Sequence, residues 1–411
     1  IIGSLILLLS SFGFVYLTGY LSNTYDFLTG MRISEYDNVS YSVIVLKDSQ
    51  YQKIEDLKNK TVSYLEDEHN DNLKEKLNDV ISYKENKITD LGSISTILED
   101  GTTDALILEN SYLSLIKEED EKFEEKIKII YSFEIQVKNH VENSDNINIT
   151  EDPFILYISG IDQYGNVNSI RGRSDVNQIA VINPRTHHIL LVNTPRDYYV
   201  QLHNTTGLKD KLTHAGIYGI NKSITTLEDL YNININNYLR VNFDSLIKVV
   251  DAIGGIDINS DTAFRAHTNK NVYVKEGWNH FDGASALAYA RERYAYITGD
   301  NHRGANQQQV IAAIIEKVSS SKVIIGKYND ILKSLEGTFQ TDMSTNTIQS
   351  FIRYQIDKMP KWKIESIAVT GSGSSNYTYS MGTNYKLYVM EPNMESVNKA
   401  KQKINEVLNE K

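Results

Sequence analysis

The chain opens with a long apolar stretch. Residues 1–25 contain no charged side chain and are rich in leucine, isoleucine and phenylalanine. About 20 such residues cross a bilayer core as a helix, and Tyr16, Tyr20 and Tyr25 would suit its interface. We therefore predict a transmembrane segment over 1–25, ahead of a buried core helix or a signal peptide, because no small-x-small cleavage site follows. The sequence begins inside this run without methionine, so we expect further sequence upstream.

Between residues 32 and 145, short apolar runs alternate with amphipathic stretches. Strands are predicted at 41–46, 61–64 and 105–108, and helices at 70–80 and 92–100. This alternation predicts a small accessory α/β domain over 32–145. No residue pattern in it predicts catalysis. The following segment, 137–151, is rich in Asn, Asp and Ser and is predicted to be a linker.

A second series of strands starts near residue 153, with a continuous apolar run typical of a strand buried on both faces. Three strands are predicted here, at 153–162, 176–182 and 189–194. Asp162 ends the first, Asp175 precedes the second and Arg196 follows the third. Open α/β sheets bind ligands outside strand ends. We therefore expect these three side chains to converge on one edge of a central sheet.

Two helices are predicted further along, at 283–290 beginning at Asp282 and at 303–318, and a loop is predicted at 371–375. On the second helix Arg303 and Gln307 stand four residues apart and share a face. Val310 and Ile314 continue the same stripe. A polar end above an apolar stripe suits a ligand with a charged head and an apolar tail.

Composition and charge narrow the function. The net charge is −11, and residues 32–150 hold 14 Lys+Arg against 26 Asp+Glu. Residues 151–411 hold 28 against 26 and are nearly neutral. The acidic first part and the absence of a basic DNA-facing surface or helix-turn-helix exclude nucleic acid as a partner. The chain has no cysteine, so disulfides, thiolate metal sites and a cysteine nucleophile are excluded.

The arginines are concentrated in the second part. Ten of the 11 arginines follow residue 150. Clusters occur around Arg173, Arg196, the pair Arg291 and Arg293, and Arg303. A guanidinium group binds phosphate oxygens two at a time and stays charged. The clusters therefore indicate a site for a multiply charged phosphate. No role is assigned to the other late arginines, which are Arg171, Arg185, Arg240, Arg265 and Arg353.

Seven ordered motifs lie within residues 153–311. They are Ser159-Gly160-Ile161-Asp162, Arg173-Ser174-Asp175, Thr194-Pro195-Arg196-Asp197, Lys211-Leu212-Thr213-His214-Ala215, Gly254-Gly255-Ile256, Arg291-Glu292-Arg293-Tyr294 and a segment from Gly299-Asp300 through Arg303 to Asn306-Gln307-Gln308. Together they closely resemble the catalytic domain of the LytR-CpsA-Psr (LCP) family. The preceding α/β domain is similar to the streptococcal CpsA branch, which serves capsule assembly. The resemblance implies a three-layer α-β-α catalytic domain with a central mixed sheet over 151–411.

The resemblance also implies an activity. LCP enzymes move a glycopolymer, such as a capsular polysaccharide or a teichoic-acid-like polymer, from an undecaprenyl-pyrophosphate carrier onto peptidoglycan as a phosphodiester. It implies a single-pass protein of the cell membrane with its catalytic domain on the extracytoplasmic side. The expected partners are the lipid-linked glycopolymer, peptidoglycan and the lipid membrane, and other capsule-assembly membrane proteins could take part.

Site residues follow from the matched motifs. The resemblance implies Mg²⁺ held by Asp162 and Asp175. It implies a pyrophosphate site formed by Arg173, Arg196, Arg291, Arg293, Arg303 and Gln307. The predicted catalytic residues among these are Asp175, Arg196, Arg291 and Arg303. For the base that takes the acceptor proton we favour Asp175 over Asp162, with a metal-bound hydroxide as an alternative.

Two other functions fit the same residues. A polyprenyl-pyrophosphate hydrolase would use water in place of the acceptor hydroxyl. A non-catalytic lipid-phosphate receptor would need the arginines but not the two aspartates.

Several residues also have a structural interpretation. Asp197 and Asp300 could be turn residues or could orient arginines, and His214 could line the site or be structural. His187 and His188 are predicted to lie on the surface. Trp278 and the tyrosines are predicted to be core, ahead of a platform for sugar rings. A set of apolar residues is also predicted to be core, although these residues could instead line a lipid pocket. They are Ile179, Val181, Leu230, Leu246, Val249, Val250, Ile253 and Leu287.

Overall fold

A computed structural model describes residues 36–65, 70–120, 122–138, 147–165, 167, 172–297, 299–319 and 338–411. The predicted transmembrane segment at 1–25 lies outside these residues. Across the described ranges, no helix has the length and apolar character needed to cross a membrane.

The first part of the chain forms a five-stranded mixed sheet with the order β3-β2-β4-β1-β5. Its strands are β1 (Tyr36–Leu46), β2 (Thr61–Leu65), β3 (Lys84–Ile88), β4 (Ala105–Glu109) and β5 (Ile127–Lys138). Its helices are α1 (Asn70–Asn78), α2 (Ile94–Glu99), α3 (Asn110–Glu119) and α4 (Phe123–Lys126), with a 3₁₀ turn at Ile54–Leu57. The predicted elements are present, and β3, β5, α3 and α4 are additions to them. Because β5 continues to Lys138, the segment predicted to be a linker begins inside a strand.

The second part is built on a six-stranded mixed sheet with the order β16-β11-β6-β7-β8-β17. Its strands are β6 (Phe154–Ile161), β7 (Ser174–Asn183), β8 (His188–Asn193), β11 (Asn237–Val241), β16 (Gln340–Thr341) and β17 (Lys363–Ala368). Strand β7 runs antiparallel to both β6 and β8, whereas β11 is parallel to β6 and β17 is parallel to β8. The end of β6, the start of β7 and the end of β8 therefore meet at one edge.

Helices cover both faces of this sheet. The helices are α5 (Leu212–Ala215), α6 (Ile220–Tyr231), α7 (Phe243–Ala252), α8 (Gly283–Arg291), α9 (Asp300–Ser319), α10 (Thr345–Lys358) and α11 (Met394–Asn409), with a 3₁₀ turn at Gly216–Tyr218. On one face α6 and α11 pack against Tyr157 and Ile179. On the other face α9 and α10 pack against Phe154 and Ala180. Successive side chains of β6 and β7 point to opposite faces of the sheet, so the apolar residues of these strands contribute to both cores.

Short strands complete the second part. They pair as β9 (Tyr199–Val200) with β10 (Asp210–Lys211), β12 (Ile256–Ser260) with β15 (Gly277–Phe281), β13 (Phe264–Arg265) with β14 (Tyr273–Val274), and β18 (Gly371–Thr378) with β19 (Gly382–Pro392). The segment 371–375, predicted to be a loop, is thus part of a strand. Met381 and Leu387 of the last hairpin share a core with Leu91 of the first part, and the Leu91 N–H donates to the Ser380 carbonyl at 3.0 Å.

Candidate active site

The edge where β6, β7 and β8 meet carries the predicted carboxylates. Asp162 directly follows β6, Asp175 is the second residue of β7, and Arg196 lies three residues beyond β8. The close approach of β6 and β7 needs glycine at position 160, where a Cβ would lie 2.7 Å from the Cβ of Val176. The structure therefore brings these three side chains together as the strand pattern predicts.

Asp175 is the most tightly held of these side chains. Its Oδ2 accepts a hydrogen bond from Nη1 of Arg196 at 2.7 Å, and its Oδ1 accepts one from the Thr213 hydroxyl at 2.7 Å. Burial alone would raise the pKa of Asp175, but the charges of Arg196, Arg173 and Arg303 together lower it below its usual value. Asp175 is therefore a fixed anion.

Asp162 has a different environment. Its Oδ1 lies 3.2 Å from Nη2 of Arg291, and its side chain keeps about a third of its surface in contact with solvent. Burial raises the pKa of Asp162 first, and the neighbouring charge of Asp175 raises it further. Arg291 and Arg173 oppose this rise without cancelling it. The two carboxylates thus share one site, but their pKa values are shifted in opposite directions.

Arg291 is positioned by its helix and by an aromatic ring. It is the last residue of α8, which starts where the Asp282 side chain accepts a hydrogen bond from the Ser285 N–H, as predicted. The guanidinium carbon of Arg291 lies 4.1 Å from the ring centroid of Phe243. This stacking holds a planar cation beside Asp162. Phe243 lies in no sequence motif, and Thr213 lies in one of the seven but received no role, because both contacts are long-range.

A cleft runs from the carboxylates between the sheet and helices α7, α8 and α9. It encloses about 720 Å³ including its open mouth. At one end it is lined by Asp162, Asp175, Arg291, Arg303 and Gln307. Along the rest it is lined by apolar side chains, namely Ile158, Ile161, Val176, Val241, Phe243, Leu246, Leu287, Val310 and Ile311. The predicted charged head and apolar tail of the ligand match this division.

Helix α9 supplies the stripe that the sequence predicts, with one change. Arg303, Gln307 and Val310 line the cleft, but Ile311 takes the place expected for Ile314, which packs in a neighbouring core. Gly304 lets the helix approach β8, since a Cβ there would overlap the Asn193 side chain. Of the apolar residues considered for a lipid pocket, Leu246 and Leu287 line the cleft. Ile179, Val181, Val250 and Ile253 belong to cores, as the default predicts.

Two predicted cations, Arg173 and Arg293, are not among the described residues that line the cleft. Arg173 is half-buried at the start of β7, and its charge acts on both carboxylates. Arg293 is exposed and stacks on Tyr294, with its guanidinium carbon 4.8 Å from the ring centroid. Asp197 lies 3.7 Å from Nε of Arg196, so it helps to orient that arginine. Arg171 lies outside the described residues.

Two sequence-based interpretations are wrong, and one that was left open is decided. His188 is buried and its Nδ1 lies 2.7 Å from the Glu410 carboxylate, so its predicted surface position is wrong. Trp278 is 66% exposed, so its predicted core position is wrong. His214 is fully buried with its Nδ1 2.7 Å from Asp210, which is a structural role. The β12–β15 pair leaves one face open to solvent, and Trp278 lies on that face.

The side chains at this edge of the sheet limit which metal ion could bind there. No group of three or more His, Asp or Glu side chains suited to a metal ion occurs among the residues that the structure describes. Asp162 and Asp175 offer two carboxylates beside the polar end of the cleft. Mg²⁺ fits such a pair, because it commonly takes one or two protein carboxylates and completes its shell with water and phosphate oxygens.

One protein-family model matches most of the chain. The LytR_cpsA_psr family model matches residues 117–403. The chain belongs to the LytR-CpsA-Psr family. The match includes both aspartates and all the arginines that line the cleft.

Known relatives of this LytR-CpsA-Psr protein are transferases. A polyisoprenyl-teichoic acid–peptidoglycan teichoic acid transferase TagU from Enterococcus faecalis is 31% identical over 244 residues, covering 59% of this chain and 78% of the relative. TagU from Bacillus cereus is 31% identical over 223 residues, covering 54% and 70%. The crystal structure of TagV from B. subtilis has a TM-score of 0.52 at 29% identity and covers 63% of this chain and 98% of that one.

Proposed function

We propose that this protein transfers a glycopolymer from a polyprenyl-pyrophosphate carrier to peptidoglycan. The observation that carries the proposal is the cleft, whose charged end adjoins a long apolar trough. A prenyl chain would occupy the trough, and its pyrophosphate would lie among the arginines. The similarity to TagU, a polyisoprenyl-teichoic acid–peptidoglycan teichoic acid transferase, supports the same reaction class.

The cations would bind the diphosphate and stabilise its developing charge. Arg303 and Gln307 stand on one wall of the cleft and Arg291 on another, so donors reach the head group from two sides. Catalysis of phosphoryl transfer consists mainly of positioning and charge neutralisation. Loss of one well-placed donor typically costs about 2.7–4 kcal/mol of barrier height. Arg173 and Arg293 could reach a bound glycan phosphate from the rim.

The reaction proposed here balances as a substitution at phosphorus. The oxygen of an acceptor hydroxyl bonds to the phosphorus that carries the glycopolymer. The bond from that phosphorus to the bridging oxygen breaks, and prenyl phosphate leaves with the electron pair. The hydroxyl proton passes to a carboxylate of the protein. The product is a phosphodiester between the glycopolymer and the acceptor glycan.

Asp162 is the better candidate for the proton acceptor. Its pKa is raised and its side chain is partly exposed, whereas Asp175 has a lowered pKa and both oxygens engaged by Arg196 and Thr213. A base with a pKa closer to neutral takes a proton more readily. This reverses the order that the sequence suggested, and leaves Asp175 as a fixed anion.

Asp175 and Asp162 are also the residues that would hold Mg²⁺. When bound, the ion would neutralise phosphate charge at the polar end of the cleft. Contacts within the chain position both carboxylates, because Arg196 and Thr213 bind Asp175 and Arg291 lies beside Asp162.

The proposal extends to the kind of polymer transferred and to the location of the protein in the cell. Both a capsular polysaccharide and a teichoic-acid-like polymer present a sugar phosphate to the cleft, so the cleft accommodates either. A membrane anchor at 1–25 would place the catalytic part on the extracytoplasmic side, where peptidoglycan lies.

The test uses the full chain in detergent with a short-chain prenyl-pyrophosphoryl sugar, Mg²⁺ and peptidoglycan fragments, and reads products by mass spectrometry. Arg303→Ala and Asp175→Asn are compared with Arg265→Ala, an exposed arginine that donates to the Lys270 carbonyl outside the cleft. We expect a sugar-phosphate–glycan adduct with the wild type and the Arg265 variant, reduced at least tenfold in the other two. Prenyl phosphate and sugar phosphate without adduct would establish a hydrolase instead. Tight lipid binding without turnover would establish a receptor.

A further inference from the structure

The turn of the β18–β19 hairpin packs into the first part of the chain. Met381, between the two strands, is fully buried in a core that includes Leu91 and Ile94. The Leu91 N–H donates to the Ser380 carbonyl at 3.0 Å. A Cβ on Gly92 would overlap the Met381 carbonyl oxygen, so glycine permits this close approach. The first part thus contacts the hairpin turn through both its backbone and a buried apolar side chain.

The same turn binds helix α5 and the residues before it. The Ser380 N–H donates to Oδ2 of Asp210 at 2.8 Å, and the Ser380 hydroxyl lies 2.9 Å from Nδ1 of His214. Asp210 and His214 are fully buried, with Nδ1 of His214 2.7 Å from Oδ1 of Asp210. The Tyr379 N–H donates to the Lys209 carbonyl at 2.9 Å. Ser380 therefore contacts the first part on one side and α5 on the other.

Helix α5 in turn contacts the catalytic edge at two points. Thr213, within α5, donates its hydroxyl proton to Oδ1 of Asp175 at 2.7 Å, and its N–H donates to the Arg196 carbonyl at 2.9 Å. Gly216, directly after α5, lies so close to Ser174 that a Cβ on the glycine would be 2.6 Å from the Ser174 nitrogen. A displacement of α5 would therefore change the contacts of Asp175 and of the residue before it.

A second contact joins the first part of the chain to α5. Ile217, which follows Gly216 in the 3₁₀ turn, is fully buried in the same core as Met381. The next residue, Tyr218, has its ring centroid 6.0 Å from that of Tyr112 in α3. The first part therefore packs on the segment that follows α5 as well as on the hairpin turn that binds its start.

We propose that the first part of the chain positions the Asp175 carboxylate by packing on the hairpin turn and on Ile217. This inference rests on the proposed function. Ser380, Met381 and Ile217 are positioning residues, and none of them is among the described residues that line the cleft. They act through α5, whose Thr213 binds Asp175. Because catalysis depends on groups oriented before the substrate binds, loosening the turn should slow the reaction without weakening donor binding.

Two variants of the full chain loosen the turn from opposite sides. Met381→Ala removes a buried side chain from the shared core, and Gly92→Ala places a Cβ against the Met381 carbonyl. Met381→Leu conserves the volume and is the conservative variant. Leu73→Ala is the matched control, because it opens a similar cavity in the other core of the first part. The described residues of that core all belong to the first part.

Hydrogen exchange followed by mass spectrometry measures the effect on α5 directly. The segment 210–217 contains the amides of Leu212 and Thr213, which donate to backbone carbonyls outside the helix. We expect exchange in this segment to rise about tenfold in both loosening variants, while the central strand β7 keeps the exchange of the wild type. Met381→Leu and Leu73→Ala should leave both segments unchanged.

Steady-state transfer assays separate positioning from binding. In both loosening variants kcat should fall about tenfold, with the KM for the prenyl-pyrophosphoryl sugar within about twofold of the wild type. Unchanged exchange at 210–217, an equal loss of activity in Leu73→Ala, or a change confined to KM would overturn the proposal. Faster exchange at 210–217 in a protein that transfers nothing would support the link to α5 and contradict the proposed function alone.

Discussion

Thr213 donates its hydroxyl proton to Oδ1 of Asp175 at 2.7 Å, on a carboxylate whose other oxygen is bound by Arg196. The Thr213 N–H in turn donates to the Arg196 carbonyl at 2.9 Å. The short helix α5 thus fixes both the Asp175 carboxylate and the backbone of Arg196. A carboxylate held at both oxygens cannot rotate, so its orientation is set before the substrate binds.

Removal of this hydroxyl should slow the reaction more than it weakens binding. Thr213→Val keeps the shape but leaves Asp175 with one donor fewer. A hydrogen bond to a charged group is worth about 1.5–3 kcal/mol, so kcat should fall about tenfold to a hundredfold with little change in KM. Steady-state transfer assays measure both constants. Thr213→Ser keeps the hydroxyl and should retain most of the activity, and equal losses in the two variants would exclude a positioning role.

As the pH is lowered, the affinity for Mg²⁺ should fall at a higher pH than it would if both aspartates had ordinary pKa values. The pKa of Asp162 is raised by burial and by Asp175, so as pH falls this carboxylate takes up a proton early and ceases to be a ligand. Arg291 opposes that rise, so Arg291→Gln should move the loss of Mg²⁺ affinity to still higher pH. Calorimetric Mg²⁺ titrations from about pH 4 to 7.5 follow the change. Arg265→Gln is the control, and identical pH profiles for the two variants would contradict the assignment.

The strands around the site could be predicted because their side chains obey simple patterns. The apolar runs of β6 and β8 predicted that Asp162 and Arg196 lie at one sheet edge. The helical spacing of Arg303 and Gln307 predicted that both line one wall of the site. Phe243 could not be predicted as a site residue. Its contact with Arg291 joins the first residue of α7 to the last residue of α8, and only tertiary packing sets that distance.

Strand β18 shows a second limit. Its Gly371-Ser372-Gly373-Ser374-Ser375 segment has a turn-like composition, and pairing with β19 overrides that preference. The tyrosines of the hairpin were misjudged for a related reason, because aromatic residues are usually buried. On a two-stranded hairpin only one face packs on the core, so alternation leaves Tyr388 outside while Leu387 is buried.

The length of the apolar trough should decide which prenyl chains bind. Leu287 of α8 and Leu246 of α7 line the trough, so Leu287→Phe or Leu246→Phe places a larger ring in its path. We expect the KM for long-chain prenyl-pyrophosphoryl sugars to rise severalfold, since overfilling a packed apolar site typically costs about 1–3 kcal/mol. A short-chain analogue should be less affected, which separates obstruction of the trough from unfolding. Equal effects on both chain lengths would place the lipid elsewhere.

The buried pair Asp210–His214 should contribute far more to stability than its exposed counterpart Asp257–His280. Both pairs place Nδ1 2.7 Å from a carboxylate oxygen, but the first is fully buried and the second is about 60% exposed. Asp210 also accepts hydrogen bonds from the N–H groups of Lys211 and Ser380 at 2.8 Å, so Asp210→Ala removes an acceptor from three buried groups at once. We expect a loss of about 3–5 kcal/mol of unfolding free energy, against about 0–1 kcal/mol for Asp257→Ala. Denaturant titration of both variants measures the difference. Similar midpoints would show that the buried network does not hold α5, and with it Thr213, in place.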